Sequence, residues 1–315
     1  MTQNIKPESL NKLEESLIPY AFGKKDVVRL LIISLLIKGH ILIEDLPGVG
    51  KTTLAKAFSS LLGRTFARVQ GTSDTLPQDI IGGEIIDLKT NDFLIKKGPI
   101  FSEFVLIDEI NRMHPKTQSA LMEGMEEKQV SIAGKLNALP DIHMIIATQN
   151  PIEYAGTYPL PEAQRDRFFC VLKIGFPSTE VQKDILKNQT FLDLNTRVQN
   201  LKSVVDNQEI LHLQNMVKEV KIADEILLRL IKFAEWTRNP IYFRYGISPR
   251  GLSIFVQALR AQALLEDRDY VIPEDGRSLI IPLLTHRVEY LDETMPKEEL
   301  EKMFLQNYME IFKRM

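Results

Sequence analysis

The stretch Ile41-Leu42-Ile43-Glu44-Asp45-Leu46-Pro47-Gly48-Val49-Gly50-Lys51-Thr52-Thr53-Leu54-Ala55 runs from an apolar triplet through a Pro/Gly turn into residues of helical composition. Ile41 to Ile43 suits a buried parallel strand, and Lys51 onward a helix. A connection of this kind holds nucleotide phosphates when its glycines let backbone N–H groups point inward and the new helix adds its positive N-terminal end. Under that reading Pro47, Gly48, Val49, Gly50, Lys51, Thr52 and Thr53 form the cradle. Lys51 reaches the β- and γ-phosphates of ATP, and the Thr52 hydroxyl binds Mg²⁺. The full pattern G-x-x-x-x-G-K-[ST] has glycine where Asp45 stands. An acid there would repel phosphate, so Asp45 is expected to turn outward. Gly-Lys-Thr alone is a weak signal, and an ordinary strand-turn-helix connection fits the same residues.

The bulk of the chain sets limits. At 315 residues, one large domain or two moderate ones are expected. A composition of 44% hydrophobic and 26% charged residues is that of a soluble globular protein. A net charge of -3 gives no general field to attract nucleic acid or an anionic membrane. The single cysteine, Cys170, excludes an internal disulfide framework and points to the reducing cytoplasm. Within the apolar run Phe168 to Leu172 it reads as a buried structural thiol rather than a nucleophile. The polar Met1 to Ser9 is no signal peptide, and Val27 to Ile37 is too short to span a bilayer.

Working outward from the loop, helical spacing covers Pro7 to Leu17 and Val27 to Ile37, the second ended by Gly39. After the loop, Thr53 to Leu62 continues as a helix closed by Gly63, and Thr65 to Val69 reads as a strand. Glu84 to Leu88, the turn Lys89 to Asp92, and Phe93 to Lys96 make a hairpin, either a plain surface feature or a contact for a partner. Phe104-Val105-Leu106-Ile107-Asp108-Glu109 is the second decisive stretch. Four apolar residues make a buried strand that delivers two carboxylates at its C-terminal end, where open α/β sheets bind ligands. In a nucleotide hydrolase the first acid serves Mg²⁺ and the next polarises the attacking water. A solvated edge or a helix N-cap is the bland alternative.

Pro115 to Glu127 follows as a helix, then Gln129 to Ile132 with Leu136 to Leu139 as a second small hairpin. Ile142 to Ala147 is the next buried strand, leading to Thr148-Gln149-Asn150-Pro151. Asn150 can read the γ-phosphate or hold water, although an Asn before Pro is also turn chemistry. A short helix, Pro161 to Asp166, and a last strand, Phe168 to Leu172, complete five strands alternating with helices, as a parallel sheet requires. Gly175-Phe176-Pro177-Ser178 is a compositional hinge. Beyond it Thr179 to Asn188, Ile210 to Val220, Glu225 to Thr237, Pro249 to Glu266, Pro273 to Glu289 and Leu300 to Lys313 read as helices. Arg250 stands at the start of one of them, suited to a salt bridge or to an anion.

Together, the loop, Leu-Ile-Asp-Glu-Ile-Asn-Arg, Pro-Lys-Thr-Gln-Ser-Ala-Leu-Met-Glu, Ala-Thr-Gln-Asn-Pro-Ile-Glu, Gly-Thr-Tyr-Pro-Leu-Pro-Glu-Ala-Gln and Ile-Ser-Pro-Arg resemble the MoxR family of AAA+ ATPases, from about Leu17 to about Val288. That family's loop also begins with Glu-Asp, so Asp45 is a family trait. The resemblance implies a P-loop NTPase of α/β class, a parallel five-stranded sheet between helices followed by an all-helical lid. Residues 1–176 would form the nucleotide-binding domain, with a helix-2 insert hairpin at about 83–97 and a pre-sensor-1 hairpin at about 129–139. Residues 177–315 would form the lid.

Residue by residue, the resemblance implies a Walker A loop of Gly48, Gly50, Lys51 and Thr52, a Walker B pair of Asp108 and Glu109, a sensor-1 amide at Asn150, and a sensor-2 arginine at Arg250 lent by the lid. Arg167 in Asp166-Arg167-Phe168 is the implied arginine finger for a neighbouring subunit. Arg165, where members usually carry leucine, is a second candidate. Gly23-Lys24 replaces the family's Gly-Gln, which leaves Phe22 and Gly23 as candidates beside the adenine. The implied activity is Mg²⁺-dependent hydrolysis of ATP to ADP by a ring, a hexamer as in AAA+ relatives, that remodels protein partners such as von Willebrand factor A proteins. A non-catalytic ATP-dependent scaffold and a nucleic-acid motor are the alternatives, the second disfavoured by the net charge.

Overall fold

The computed structural model describes residues 6–89, 91–151, 156–188, 194, 196–292 and 295–313, without the side chains of 184 and 185. Position 90 of the expected hairpin turn, and 152 and 153 of the motif after Asn150, lie outside the described residues. In chain order the strands are β1 (Ile41–Glu44), β2 (Phe66–Gln70), β3 (Gly82–Ile86), β4 (Phe93–Lys97), β5 (Phe104–Asp108) and β6 (Gln129–Ile132). β7 (Lys135–Ala138), β8 (Met144–Gln149), β9 (Cys170–Leu172), β10 (Phe243–Tyr245) and β11 (Glu289–Tyr290) complete the set.

Five of these form one sheet in the order β2-β5-β8-β1-β9, every neighbouring pair parallel. Successive strand residues face opposite sides, and both sides are covered. Ile41, Ile43, Phe104, Leu106 and Ile146 join a core with Leu13, Leu31 and Phe58 from the helices Glu8–Leu17, Lys25–Leu36 and Lys51–Leu61. Leu42, Val105, Ile107 and Ile145 face the other way, onto Leu121, Met122 and Met125 of the helix Pro115–Glu127. Such two-sided burial is why these strands read as unbroken apolar runs.

The entry to β1 is tight. Lys38 takes a left-handed φ of 59° and Gly39 donates to Ser34 O at 2.8 Å, which ends the preceding helix. A Cβ on Gly39 would stand 2.6 Å from the Cβ of Phe169. Only glycine allows β9 to approach there.

The two expected hairpins, β3–β4 and β6–β7, stand off the sheet as separate antiparallel pairs. The first leaves Ile85, Ile86, Leu88, Phe93 and Leu94 exposed.

Past Gly175 the chain is mainly helical, with helices Thr179–Asn188, Asn207–Glu219, Asp224–Trp236, Pro249–Leu265 and Lys297–Phe312. Asp206 caps the second by accepting from Glu209 N at 2.8 Å, and Ser248 caps the fourth by accepting from Gly251 N at 3.0 Å. Phe233, Phe255, Phe304 and Tyr308 are buried at their centre, in the same continuous core as the first face of the sheet.

Pro273 to Glu289 is not the single helix its spacing predicts. It is a 3₁₀ turn (Pro273–Gly276), a short helix (Ile280–Leu284), a second 3₁₀ turn (Thr285–Arg287) and β11, which pairs antiparallel with β10. The cause lies at its start. Buried Asp275 accepts from Ile272 N at 2.9 Å and from Arg268, and a Cβ on Gly276 would come within 2.1 Å of the Tyr308 hydroxyl oxygen. Packing this close bends the run and brings Arg287 back towards the sheet.

Candidate active site

The phosphate loop leaves the C-terminal end of β1. Gly48 and Gly50 take φ values of 84° and 75°, conformations that favour glycine. Lys51 opens the helix Lys51–Leu61, with Thr52 and Thr53 in its first turn. The loop curls around the Lys51 ammonium, which donates to Asp45 O at 2.8 Å and Leu46 O at 3.2 Å. Burial lowers the pKa of Lys51, while the Asp45, Asp108 and Glu109 carboxylates pull it upward. The Phe22 ring lies against Gly50, beside the loop.

Asp45 is turned away from the cradle, into the protein rather than to solvent. It is buried, with Oδ1 accepting from Leu46 N at 2.9 Å and Oδ2 from Gly175 N at 2.5 Å. Its charge is satisfied by backbone amides, one of them in the segment leading to the lid. Lys24, where the family has glutamine, holds the same segment by donating to Ile174 O and to Phe176 O, the latter at 2.8 Å.

Asp108 ends β5 at the same edge, with only β8 between β5 and β1. Thr148 of β8 joins the two acidic residues. Its hydroxyl donates to Asp108 Oδ1 at 3.2 Å and accepts from Glu109 N at 3.0 Å. Glu109 has a φ of 58°, a sparsely populated conformation for a residue with a Cβ. Its Oε2 accepts from Gln70 Nε2 at 2.9 Å and pairs with Arg112 Nε at 3.1 Å. Asp108 Oδ2 pairs with Arg68 Nε at 2.7 Å. Asn150 follows β8 directly, at this same edge.

Sequence reasoning missed the support from β2. Arg68 and Gln70, two residues apart and so on one face of the strand, hold Asp108 and Glu109 respectively. Gly71 donates to Asp108 O at 2.6 Å, and a Cβ there would stand 2.4 Å from Glu109 O. Polar residues at alternate positions ending a strand were the available signal. Cys170 is buried, and burial pushes its thiol pKa up, away from reactivity.

The two remaining arginines are elsewhere. Arg167 Nη2 pairs with Glu126 Oε2 at 2.9 Å, and Arg250 Nη1 pairs with Glu126 Oε1 at 2.6 Å. They border a cavity of about 350 Å³ lined also by Lys38, Gly39 and His40, the residues that precede β1. This is the N-terminal edge of the sheet, separated from the phosphate loop by the length of β1, roughly 13 Å. Arg250, the arginine expected from the lid, thus stands at this edge and away from the phosphate loop of its own chain. The N-terminus of Pro249–Leu265 packs against Arg287, which is anchored to Asp166 and Phe168 at the N-terminal edge. Arg165, two residues before Arg167, turns instead to the loop edge. It bonds Glu44 Oε1 at 3.1 Å, alongside Gln149 Nε2 at 2.7 Å.

Comparison with known proteins gives the family. Residues 40–170 match the ATPase family associated with various cellular activities (AAA), and residues 236–303 match the AAA lid domain. The YeaC protein of Bacillus subtilis is 42% identical over 89% of this chain and 86% of its own. A crystal structure of a Cytophaga hutchinsonii protein, 32% identical, superposes with a TM-score of 0.84 over 95% of this chain and 94% of that one. Chaperone MoxR1 of Mycobacterium tuberculosis is 37% identical over 84% of this chain and 72% of its own. A likeness of that extent, carried by a sheet that gathers the loop and the acidic pair at one edge, makes the chain a member of the MoxR family of AAA+ ATPases.

Proposed function

We propose that the protein couples Mg²⁺-dependent hydrolysis of ATP to the remodelling of a protein partner, working as a ring of identical subunits with a sheet domain of residues 1–176 and a lid of 177–315. Pro47 shapes the turn, the backbone N–H groups of Gly48 to Thr53 cradle the phosphates, and the Lys51 ammonium exchanges the Asp45 and Leu46 carbonyls for β- and γ-phosphate oxygens. Thr52 and Asp108 offer a hydroxyl and a carboxylate, the hard oxygen donors that Mg²⁺ takes beside phosphates and water. When bound, the metal offsets charge developing on the transferred phosphoryl group. Glu109, aimed by its own backbone and by Gln70, orients the attacking water together with Asn150.

The observation that carries this reading is the Thr148 hydroxyl. By bonding both Asp108 Oδ1 and Glu109 N, it ties the acidic pair to the strand that neighbours β1. Arg167 and Arg250 lie at the far edge and complete the site of the next subunit, as in a hexameric ring. The exposed apolar residues of β3–β4 suit contact with a partner, for which a von Willebrand factor A protein is our candidate. The name of the Mycobacterium relative, a chaperone, supports a remodelling role.

The test is Glu109→Gln, assayed for ATP binding and phosphate release. Binding is retained and turnover falls by about 10²- to 10⁴-fold. Undiminished turnover would sink the assignment. Tight ATP binding by the unaltered protein with no phosphate release at any protein concentration would favour a scaffold instead.

A further inference from the structure

Arg287 belongs to neither the phosphate loop nor the acidic pair, and its side chain is 0% exposed. Every nitrogen of its guanidinium donates. Nε bonds Leu283 O at 2.8 Å, Nη1 bonds Asp166 O at 2.6 Å and also Asp166 Oδ1, and Nη2 bonds Phe168 O at 2.7 Å and Phe169 O at 3.2 Å. One side chain from the lid thus grips the carbonyls on both sides of Arg167. Its Cδ also lies against Gly251, where a Cβ would come within 2.9 Å, so it touches the residue beside Arg250.

Burying a charge in this way is costly, and an apolar side chain would join lid and sheet domain at less expense. What an apolar residue cannot do is fix the direction in which the chain presents residue 167. The planar fork of a guanidinium can, because its donors are held at set angles.

We infer that Arg287 is the positioning residue for both trans arginines: it holds Arg167 and Arg250 in one fixed arrangement, so that the basic edge is offered to a neighbouring subunit as a single unit. This rests on the proposed use of those arginines in trans.

The experiment compares full-length Arg287→Lys, which keeps the charge and loses the fork, with Arg167→Ala. Each is assayed alone and mixed with Lys51→Ala subunits, which keep their own arginines but have a disabled loop. Arg287→Lys alone loses about 10²-fold in kcat, the cost expected of a misplaced group, with its affinity for ATP unchanged. Mixing restores turnover above the sum of the separate activities, because the Lys51→Ala neighbour supplies a well-placed basic edge. A simple folding defect would not be rescued in this way.

Asp166→Asn, which leaves Arg287 and the carbonyls in place, shows the same rescued defect at about 10-fold. Rescue of Arg167→Ala without rescue of either Arg287→Lys or Asp166→Asn overturns the inference and leaves the trans reading standing. So does undiminished turnover in Arg287→Lys. Failure to rescue Arg167→Ala itself overturns the trans reading, and this inference with it.

Discussion

The two ends of β1 are built in opposite ways. At the Glu44 end the groups proposed to meet nucleotide come from single short stretches, the loop from 45–53 and the acidic pair from 108–109, each placed by the strand that precedes it. At the His40 end, Glu126, Arg167, Arg250 and Arg287 converge from four separate elements and are bound mainly to one another and to backbone carbonyls. On the proposed reading a subunit carries two half-sites that face away from each other, and the acidic half is served by the basic half of a neighbour.

The largest effect that would break this comparison comes from removing, one at a time, the two arginines that stand only two residues apart. Arg167→Ala is expected to lower turnover by about 10³- to 10⁵-fold, or roughly 4–7 kcal/mol of barrier, with recovery on mixing with Lys51→Ala subunits. Arg165→Ala removes an ion pair to Glu44 at the loop edge and should change turnover by no more than about fivefold. Steady-state phosphate release in the two variants, alone and mixed, decides it. If Arg165→Ala is the variant rescued by mixing, the edges have been assigned the wrong way round.

The comparison also explains what could be read from the sequence. Phe104 to Asp108 and Ile41 to Lys51 announce themselves because a buried strand, a turn and a helix start are local patterns, and the chemistry hangs directly on them. Pro115 to Glu127 was legible for the same reason, as a proline followed by helical spacing. The position of Arg250 was not, because it depends on how Arg287 meets carbonyls 121 and 119 residues away in sequence. No local signal marks such a contact. The break in Pro273 to Glu289 was hidden in the same way, since Gly276 conflicts with a helix only once Tyr308 is packed on it. Arg68 and Gln70 sit between these cases. Their alternation was visible, but their partners, Asp108 and Glu109, stand at the end of β5 and are known only from strand order.

A smaller effect sharpens the contrast by disturbing the basic edge alone. Gly39→Ala would place a Cβ 2.6 Å from Phe169, two residues beyond Arg167. Overpacking of this kind costs about 1–3 kcal/mol. Thermal unfolding should register the loss, and the strain should fall on the segment that carries Arg167. In mixtures, Gly39→Ala subunits should therefore accept a neighbour's arginines normally but donate their own poorly. Loss of ATP affinity in this variant would mean that the two edges are mechanically coupled through β1.

The smallest effect is one of pH, and it too belongs to one edge. Three of the five histidines, His40, His143 and His286, lie at or beside the starts of β1, β8 and β9. Burial is the first cause of a lowered pKa in each, with His40 held at about 3, His143 at about 4 and His286 well below its ordinary value. The folded protein keeps them neutral, whereas the unfolded chain protonates them near 6.5. Their contribution is fully present above that value and is lost as the pH falls through the window from 6.5 towards 4, because only the unfolded state gains protons there. Each costs about 1.4 kcal/mol by one pH unit below the unfolded value. Urea unfolding at a pH of about 7.5 and about 5.5 should therefore show a steeper loss in the unaltered protein than in His143→Gln, which lacks one of the three. The Gln amide can still donate to Ile100 O, the partner of His143 Nε2 at 2.9 Å, so the change in slope isolates the proton from the hydrogen bond. Equal slopes would mean that protons enter this edge without unfolding it, and that the basic half-site is looser than its packing implies.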